Sequence, residues 1–171
     1  MPDVTVRAMT EAEFDEWRHA IARAYADEQI AAGNWLPGDA LERALEGNTA
    51  LLPQGLATPA MLLLRGVLDD GTPMGRLWIG LIHPRGVPGC AFIYDIEVEE
   101  EHRGAGHGRA LLTAGEAVVR SHGAGALELN VFGDNTRAIG NVARRGTGSD
   151  RESAPGPHSR LRNGSSVRFV R

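Results

Sequence analysis

Apolar and polar positions along the chain follow two periods, and the switches between them mark the predicted elements. VTVRAM (4–9) alternates and predicts a first strand. Phe14, Trp17, Ile21, Ala24 and Tyr25 then recur at helical spacing, a stripe that suits core packing rather than an aromatic substrate box. Thr10-Glu11-Ala12-Glu13 opens that helix with a capping box, and Gly33-Asn34 closes it. Asp39 and Glu42 start a second helix around Leu41, Ala44 and Leu45. LLPQGLATPA (51–60), with Pro53 and Pro59, is a connecting loop. MLLLRGVL (61–68) and MGRLWIGLI (74–82) are apolar runs on either side of Asp69-Asp70-Gly71-Thr72-Pro73, which predicts a hairpin. His83-Pro84 ends the second run, and 85–89 form another turn. CAFIYDIEV (90–98) and ALELNVF (126–132) are the fourth and fifth strands, with a helix between them and a short one from Asn135 onward. The order β-α-α-β-β-β-α-β-α lacks strict βαβ alternation and predicts an α+β, or mixed α/β, domain.

The most informative stretch is EVEEEHRGAGHGRALL (97–112): a strand end, a glycine-rich turn and the first turns of a helix. Glycine has no Cβ and adopts positive φ freely, so main-chain N–H groups can converge on a ligand there. The first N–H groups of a helix have no internal partner, and the helix dipole draws anions to that end. Arg103 adds a charged fork that can meet a phosphate at two points. The turn is therefore suited to a pyrophosphate. Its glycines at 104, 106 and 108 do not have the G-x-G-x-x-G spacing of a dinucleotide site, and no G-K-[ST] follows as in a Walker loop. Arg103, Gly106 and Gly108 give R-x-x-G-x-G instead, flanked by Ile96-Glu97-Val98 and Ala110-Leu111-Leu112. With NVFGDNTRAIG (130–140) downstream, this resembles the acetyl-CoA-binding motif of the GNAT superfamily of N-acyltransferases. The resemblance covers residues 4 to about 140, and its specific part follows Cys90.

That resemblance implies a central mixed, mostly antiparallel sheet with flanking helices, whose fourth and fifth strands splay apart to admit the pantetheine arm of acetyl-CoA. It also implies that the main chain at Ile96 and Val98 pairs with the pantetheine amides. Arg103, Gly104, Ala105, Gly106, His107 and Gly108 would hold the pyrophosphate, and Asn135 would contact the arm; Asn135 would equally serve as a helix N-cap. Tetrahedral oxyanion charge could be met by the N–H of Val98. An amine must be neutral to attack a thioester, and a carboxylate near this strand position is the usual base in the family, so Glu97 is the candidate. By strand parity Ile93, Asp95 and Glu97 share one face, opposite Phe92, Tyr94, Ile96 and Val98. A β-bulge would break that parity.

Charge and cysteine content narrow the partners and the compartment. The 171 residues suffice for one domain with a real core, and 42% hydrophobic with 23% charged residues excludes a disordered chain. A net charge of −4 offers no electrostatic case for nucleic acid or an anionic membrane. No apolar run reaches the length of about 18 residues that a spanning helix needs, and no signal sequence is visible. The lone Cys90 excludes an internal disulfide framework and reads as a small buried hydrophobe, which fits a reducing cytoplasm. Glu99, Glu100 and Glu101 would oppose an anionic donor unless they face solvent. His19 reads as a surface histidine. His102 and His107 lack ligand partners at metal spacing, so no metal is assigned.

Past Asn135 the family pattern fails. The aromatic expected seven residues on, normally a tyrosine that protonates the leaving thiolate, is Val142, and no tyrosine follows Tyr94. Residues 143–166 are rich in Gly, Ser, Pro and Arg and lack apolar periodicity, so the expected division is a domain over 1–142 and a poorly ordered tail over 143–171. Within that tail only SVRFVR (166–171) has strand character, suited to pairing at the sheet edge. A shifted reading frame would explain the change, since Gly146-Thr147-Gly148-Ser149 can be encoded so that reading one nucleotide earlier gives Gly-Tyr-Arg-Val. Two functions follow: an N-acetyltransferase acting on a small-molecule or peptide amine by direct attack, or a catalytically weak acyl-CoA-binding domain. The acceptor pocket is expected in roughly 25–58, where Trp35 either lines it or plugs the helix–helix corner. An unfinished sheet edge would invite a homodimer.

Overall fold

A computed structural model describes residues 2–132 and the strand 164–170. The chain gathers into two compact units, Ala8–Leu63 on one hand and Met1–Arg7 with Leu64–Arg171 on the other.

In the first of these, helix α1 (Glu11–Ala31) and helix α2 (Ala40–Leu51) form a pair. The capping box is present in both directions. Glu13 N–H donates to Thr10 Oγ1 at 3.2 Å, and Thr10 N–H donates to Glu13 Oε2 at 2.8 Å. Thr10→Ala removes one acceptor from an otherwise unpaired helix start. It is expected to cost about 1 kcal/mol, a fall in Tm of about 2–4 °C by circular dichroism; an unchanged Tm would show that the box contributes nothing. The buried stripe of α1 differs from the predicted one: after Phe14 and Trp17 it runs through Ala22, Ala26 and Gln29, while Ala24 is exposed. Ala22 and Ala26 meet Ala40 and Ala44 of α2, small side chains that let the helices approach closely. Trp35 does plug the helix–helix corner: it lies edge-on to Tyr25 at 5.4 Å, with the Arg43 guanidinium 4.9 Å above its ring. Buried Gln29 stitches the end of α1, its side-chain oxygen accepting from Asn34 Nδ2 at 2.9 Å and its carbonyl from the Asn34 N–H. A short 3-10 turn at Gly55–Ala57 lies in the predicted loop.

The sheet has six strands in the order β1-β2-β3-β4-β5-β6. They are Val4–Ala8, Met61–Leu68, Pro73–Gly80, Cys90–Val98, Ala126–Phe132 and Gly164–Val170. β2 and β3 are joined by the predicted hairpin, in which Gly71 takes φ +83° and Thr72 N–H donates to Asp70 Oδ1 at 2.8 Å. β3 stops at Gly80, two residues short of the predicted end, and Ile82 is 72% exposed. β4 runs antiparallel to β3 and parallel to β5; β6 runs antiparallel to β5 along the whole of that strand. Helix α3 (His107–Ser121) covers one face of the sheet with Leu111, Leu112, Gly115 and Val119. Its fit is tight, since a Cβ at Gly115 would come within 2.6 Å of Leu77. Of the predicted tail, 164–170 forms β6; the predicted helix from Asn135 and the remainder of 143–171 lie outside the described residues. Among the described residues no helix is long and apolar enough to cross a membrane.

Candidate active site

Strand β4 organises the site through two departures from a regular sheet. Its parallel register with β5 covers Cys90↔Ala126 to Ile93↔Leu129, while β4 continues to Val98 and β5 to Phe132. Among the described residues the two strands therefore part beyond Ile93, as the resemblance implies. The second departure is a bulge. Trp78 of β3 pairs with Asp95 and Ile79 with Ile93, leaving Tyr94 as an extra residue. Asp95 and Glu97 stay together, opposite Trp78 and Arg76. Ile93, however, pairs with Ile79 and falls on the opposite face, so the predicted grouping of Ile93 with the two carboxylates is incorrect. Tyr94 stacks on Trp78 at 4.7 Å and meets Phe92 edge-on at 5.1 Å. Burial raises the Tyr94 phenol above its ordinary value, which keeps it protonated well into the alkaline range.

Around the carboxylates lies a ladder of arginines. Arg76 Nε donates to Asp95 Oδ2 at 2.9 Å, and its Nη2 meets Glu97 Oε2. Arg103 Nη2 donates to Glu97 Oε1 at 3.0 Å, and Arg103 Nε donates to the Val98 carbonyl at 2.8 Å. Arg65 of β2 pairs with Glu99. These groups border an open cavity of about 280 Å³. The acidic run divides: Glu99 is paired, while Glu100 and Glu101 are exposed in a short 3-10 turn. Arg65 and Arg76 escaped attention in the sequence. A lone arginine inside each of two apolar strand runs was the available signal.

After Arg103 the chain turns twice through the left-handed region, with φ of +89° at both Gly104 and Gly106, and enters α3 at His107. Those two glycines have the positive φ expected of the turn. Arg109 and Ala110 N–H both donate to the Gly106 carbonyl, whereas the N–H groups of Gly104, Ala105, Gly106, His107 and Gly108 make no short, well-aligned hydrogen bond among the described residues. Five donors at the positive end of a helix are thus left open. Ile96 and Val98 lead up to this turn on the parted part of β4; Asn135 lies outside the described residues. His107 Nδ1 lies 2.8 Å from the His102 carbonyl, which ties the two ends of the turn together.

A separate buried cluster lies on the same sheet face. His83, Cys90 and Glu128 bring donor atoms within 4.8 Å of one another. Arg85 N–H donates to His83 Nδ1 at 3.1 Å, so the neutral ring carries its proton on Nε2, 3.4 Å from Glu128 Oε2. Arg85 meets the other carboxylate oxygen. The arrangement satisfies a buried carboxylate and leaves no imidazole lone pair directed at a common point. Glu128 shares its strand face with Cys90 and Phe92, and sequence alone did not distinguish it from a solvated strand residue.

A parted parallel strand pair opening beside a glycine turn defines an acyl-CoA-type transferase fold, and comparison with known proteins agrees. The model of the acetyltransferase (GNAT) family matches residues 8–146. The uncharacterized N-acetyltransferase YycN of Bacillus subtilis is 36% identical over 135 residues, 79% of this chain and 86% of its own. The crystal structure of YycN superposes with a TM-score of 0.75 at 32% identity, covering 90% of this chain and 97% of that one. The structure of AAC(6')-Ib in complex with ribostamycin and coenzyme A shares the fold at 19% identity, with a TM-score of 0.67 over 99% of this chain and 94% of that one. The chain belongs to the GNAT family of acyl-CoA-dependent N-acetyltransferases.

Proposed function

We propose that this protein transfers an acetyl group from acetyl-CoA to a primary amine of a small molecule or peptide, by direct attack in a ternary complex. The carrying observation is the run of five open amides from Gly104 to Gly108 at the start of α3. A pyrophosphate seated there would receive several N–H donors, the helix dipole and the Arg103 guanidinium. The pantetheine arm would then run along β4 where it leaves β5, pairing with the main chain at Ile96 and Val98, and Asn135 would contact it. Related folds solved with coenzyme A, one of them with ribostamycin, support a CoA donor and an amine acceptor.

Glu97 is the proposed base. The ammonium proton passes to its carboxylate, directly or through water; the amine nitrogen then attacks the thioester carbon, with the oxyanion met by the Val98 N–H. As the tetrahedral intermediate collapses, the C–N bond remains and the C–S bond breaks. Position 142 is valine, so solvent supplies the proton to the departing CoA thiolate. The scheme uses no metal. The lone, buried Cys90 supports a reducing, cytoplasmic setting, and the outer edge of β6 is the surface where a second copy would add.

The test is direct. Acetyl-CoA titrated into the full chain should bind by calorimetry and raise its Tm. Gly106→Val, which forces a β-branched residue to φ +89°, should weaken binding at least about tenfold. Equal affinity in both proteins would remove the turn from the site. The same measurements test an acyl-CoA binder without turnover: binding without amine-dependent thiol release across an amine panel would select it.

A further inference from the structure

Arg103 has two partners that the proposed reaction cannot leave in place. Its Nε is bonded to the Val98 carbonyl and its Nη2 to Glu97 Oε1, so the guanidinium folds back over the strand end instead of facing the open amides after it. Glu97 is thereby held on both oxygens, Oε2 by Arg76 and Oε1 by Arg103, so an ammonium group approaching its 40%-exposed side chain meets a carboxylate that is already paired twice. The two arginines are not equivalent. Arg76 is 23% exposed and anchored a second time to Asp95, within the sheet. Arg103 is 49% exposed and belongs to the glycine turn itself.

We propose that Arg103 is a latch on Glu97, drawn off by the pyrophosphate of the donor, so that the base opens only once acyl-CoA is bound. The inference rests on the reading of 103–108 as a pyrophosphate cradle. An exposed ion pair between single charges holds weakly in water. A pyrophosphate offers more charge and a matching two-point geometry to the same fork, so the exchange favours the donor. Arg76 remains on Oε2 throughout and keeps the carboxylate aimed, which makes it the positioning residue. The open cavity bordered by Glu97 and Arg103 provides room for the swing and then for the amine. Before the donor arrives, an ammonium group would have to compete with Arg103 for the same oxygen.

Linkage makes the latch measurable without knowing the acceptor, because whatever holds Arg103 back must weaken CoA binding by the same factor. CoA is titrated by calorimetry into the full chain and into Glu97→Gln, Arg103→Ala, the double variant and Glu100→Gln, with circular dichroism confirming the fold of each. Glu97→Gln should tighten CoA binding roughly fivefold. Arg103→Ala should loosen it, and adding Glu97→Gln to Arg103→Ala should change nothing further. Glu100→Gln, which removes an exposed charge from the same rim, should have a markedly smaller effect. A Glu97→Gln protein that binds CoA no more tightly than wild type overturns the latch and leaves the cradle standing. Equal tightening with and without Arg103 also overturns it, by showing simple charge relief. Wild-type protein that binds no CoA removes both the latch and the cradle.

Discussion

Gly75→Ala is expected to lower the Tm by roughly 5–10 °C, a loss of about 2–3 kcal/mol, from the addition of a single methyl group. Gly75 of β3 lies directly opposite Val98 of β4, and a Cβ there would sit 2.5 Å from the Glu97 carbonyl oxygen, 3.1 Å from Leu111 and 3.3 Å from the Val98 Cα. The Leu111 tip can turn aside, but the other two obstacles are backbone and move only if β4 moves. Gly66→Ala is the control. Its Cβ would meet Leu111 Cδ1 at 2.7 Å and Met74 Sδ at 2.9 Å, both ends of flexible side chains, so its cost should be clearly smaller. Thermal melts of the two variants side by side test the claim. Equal melting temperatures would mean that β4 is free to shift at Glu97. Because the displaced segment carries Glu97 and leads into the glycine turn, Gly75→Ala should also weaken acetyl-CoA binding, whereas Gly66→Ala should not.

What the sequence disclosed and what it withheld follow the range of the interactions involved. β2, β4 and β5 have their predicted limits because each is an apolar run bounded by turn residues, and the Thr10 capping box is a contact over three positions. The Gly104–Gly108 turn was legible for the same reason: open amides and positive φ are properties of a short peptide. Ile82 departs from the predicted strand because its apolar side chain lies exposed beyond the end of β3. Ala22 and Ala26 were missed because alanine is a weak apolar signal, and their burial depends on Ala40 and Ala44 of a second helix. The bulge at Tyr94 was beyond reach from one strand alone, since it exists only relative to the register of β3. Likewise Arg76 reaches Glu97 across a strand pair, and Arg85 reaches Glu128 across 43 positions of chain. The base candidate was thus visible, while the arginines that hold it were not.

Glu97→Gln should reduce kcat on the order of a hundredfold or more near neutral pH, measured as thiol release with an acceptor identified from an amine panel. The amide matches the carboxylate in shape, so the strand and its bulge should persist, but it cannot take the ammonium proton. The pH profile separates this loss from simple misplacement. A primary amine has an ordinary pKa near 10, so below that its free-base fraction rises about tenfold per pH unit. Without a resident base the variant depends on that fraction, and its rate should climb steeply through the alkaline range toward that of the wild type. A misplaced strand would instead leave a constant deficit at every pH. The same substitution should tighten CoA binding through the loss of the Arg103 contact, so binding and turnover move in opposite directions. No purely structural defect at β4 produces that pair of signs, because a distorted strand weakens the cradle and slows the reaction together. An unchanged kcat with an unchanged pH profile would remove Glu97 from the chemistry and pass the proton to water.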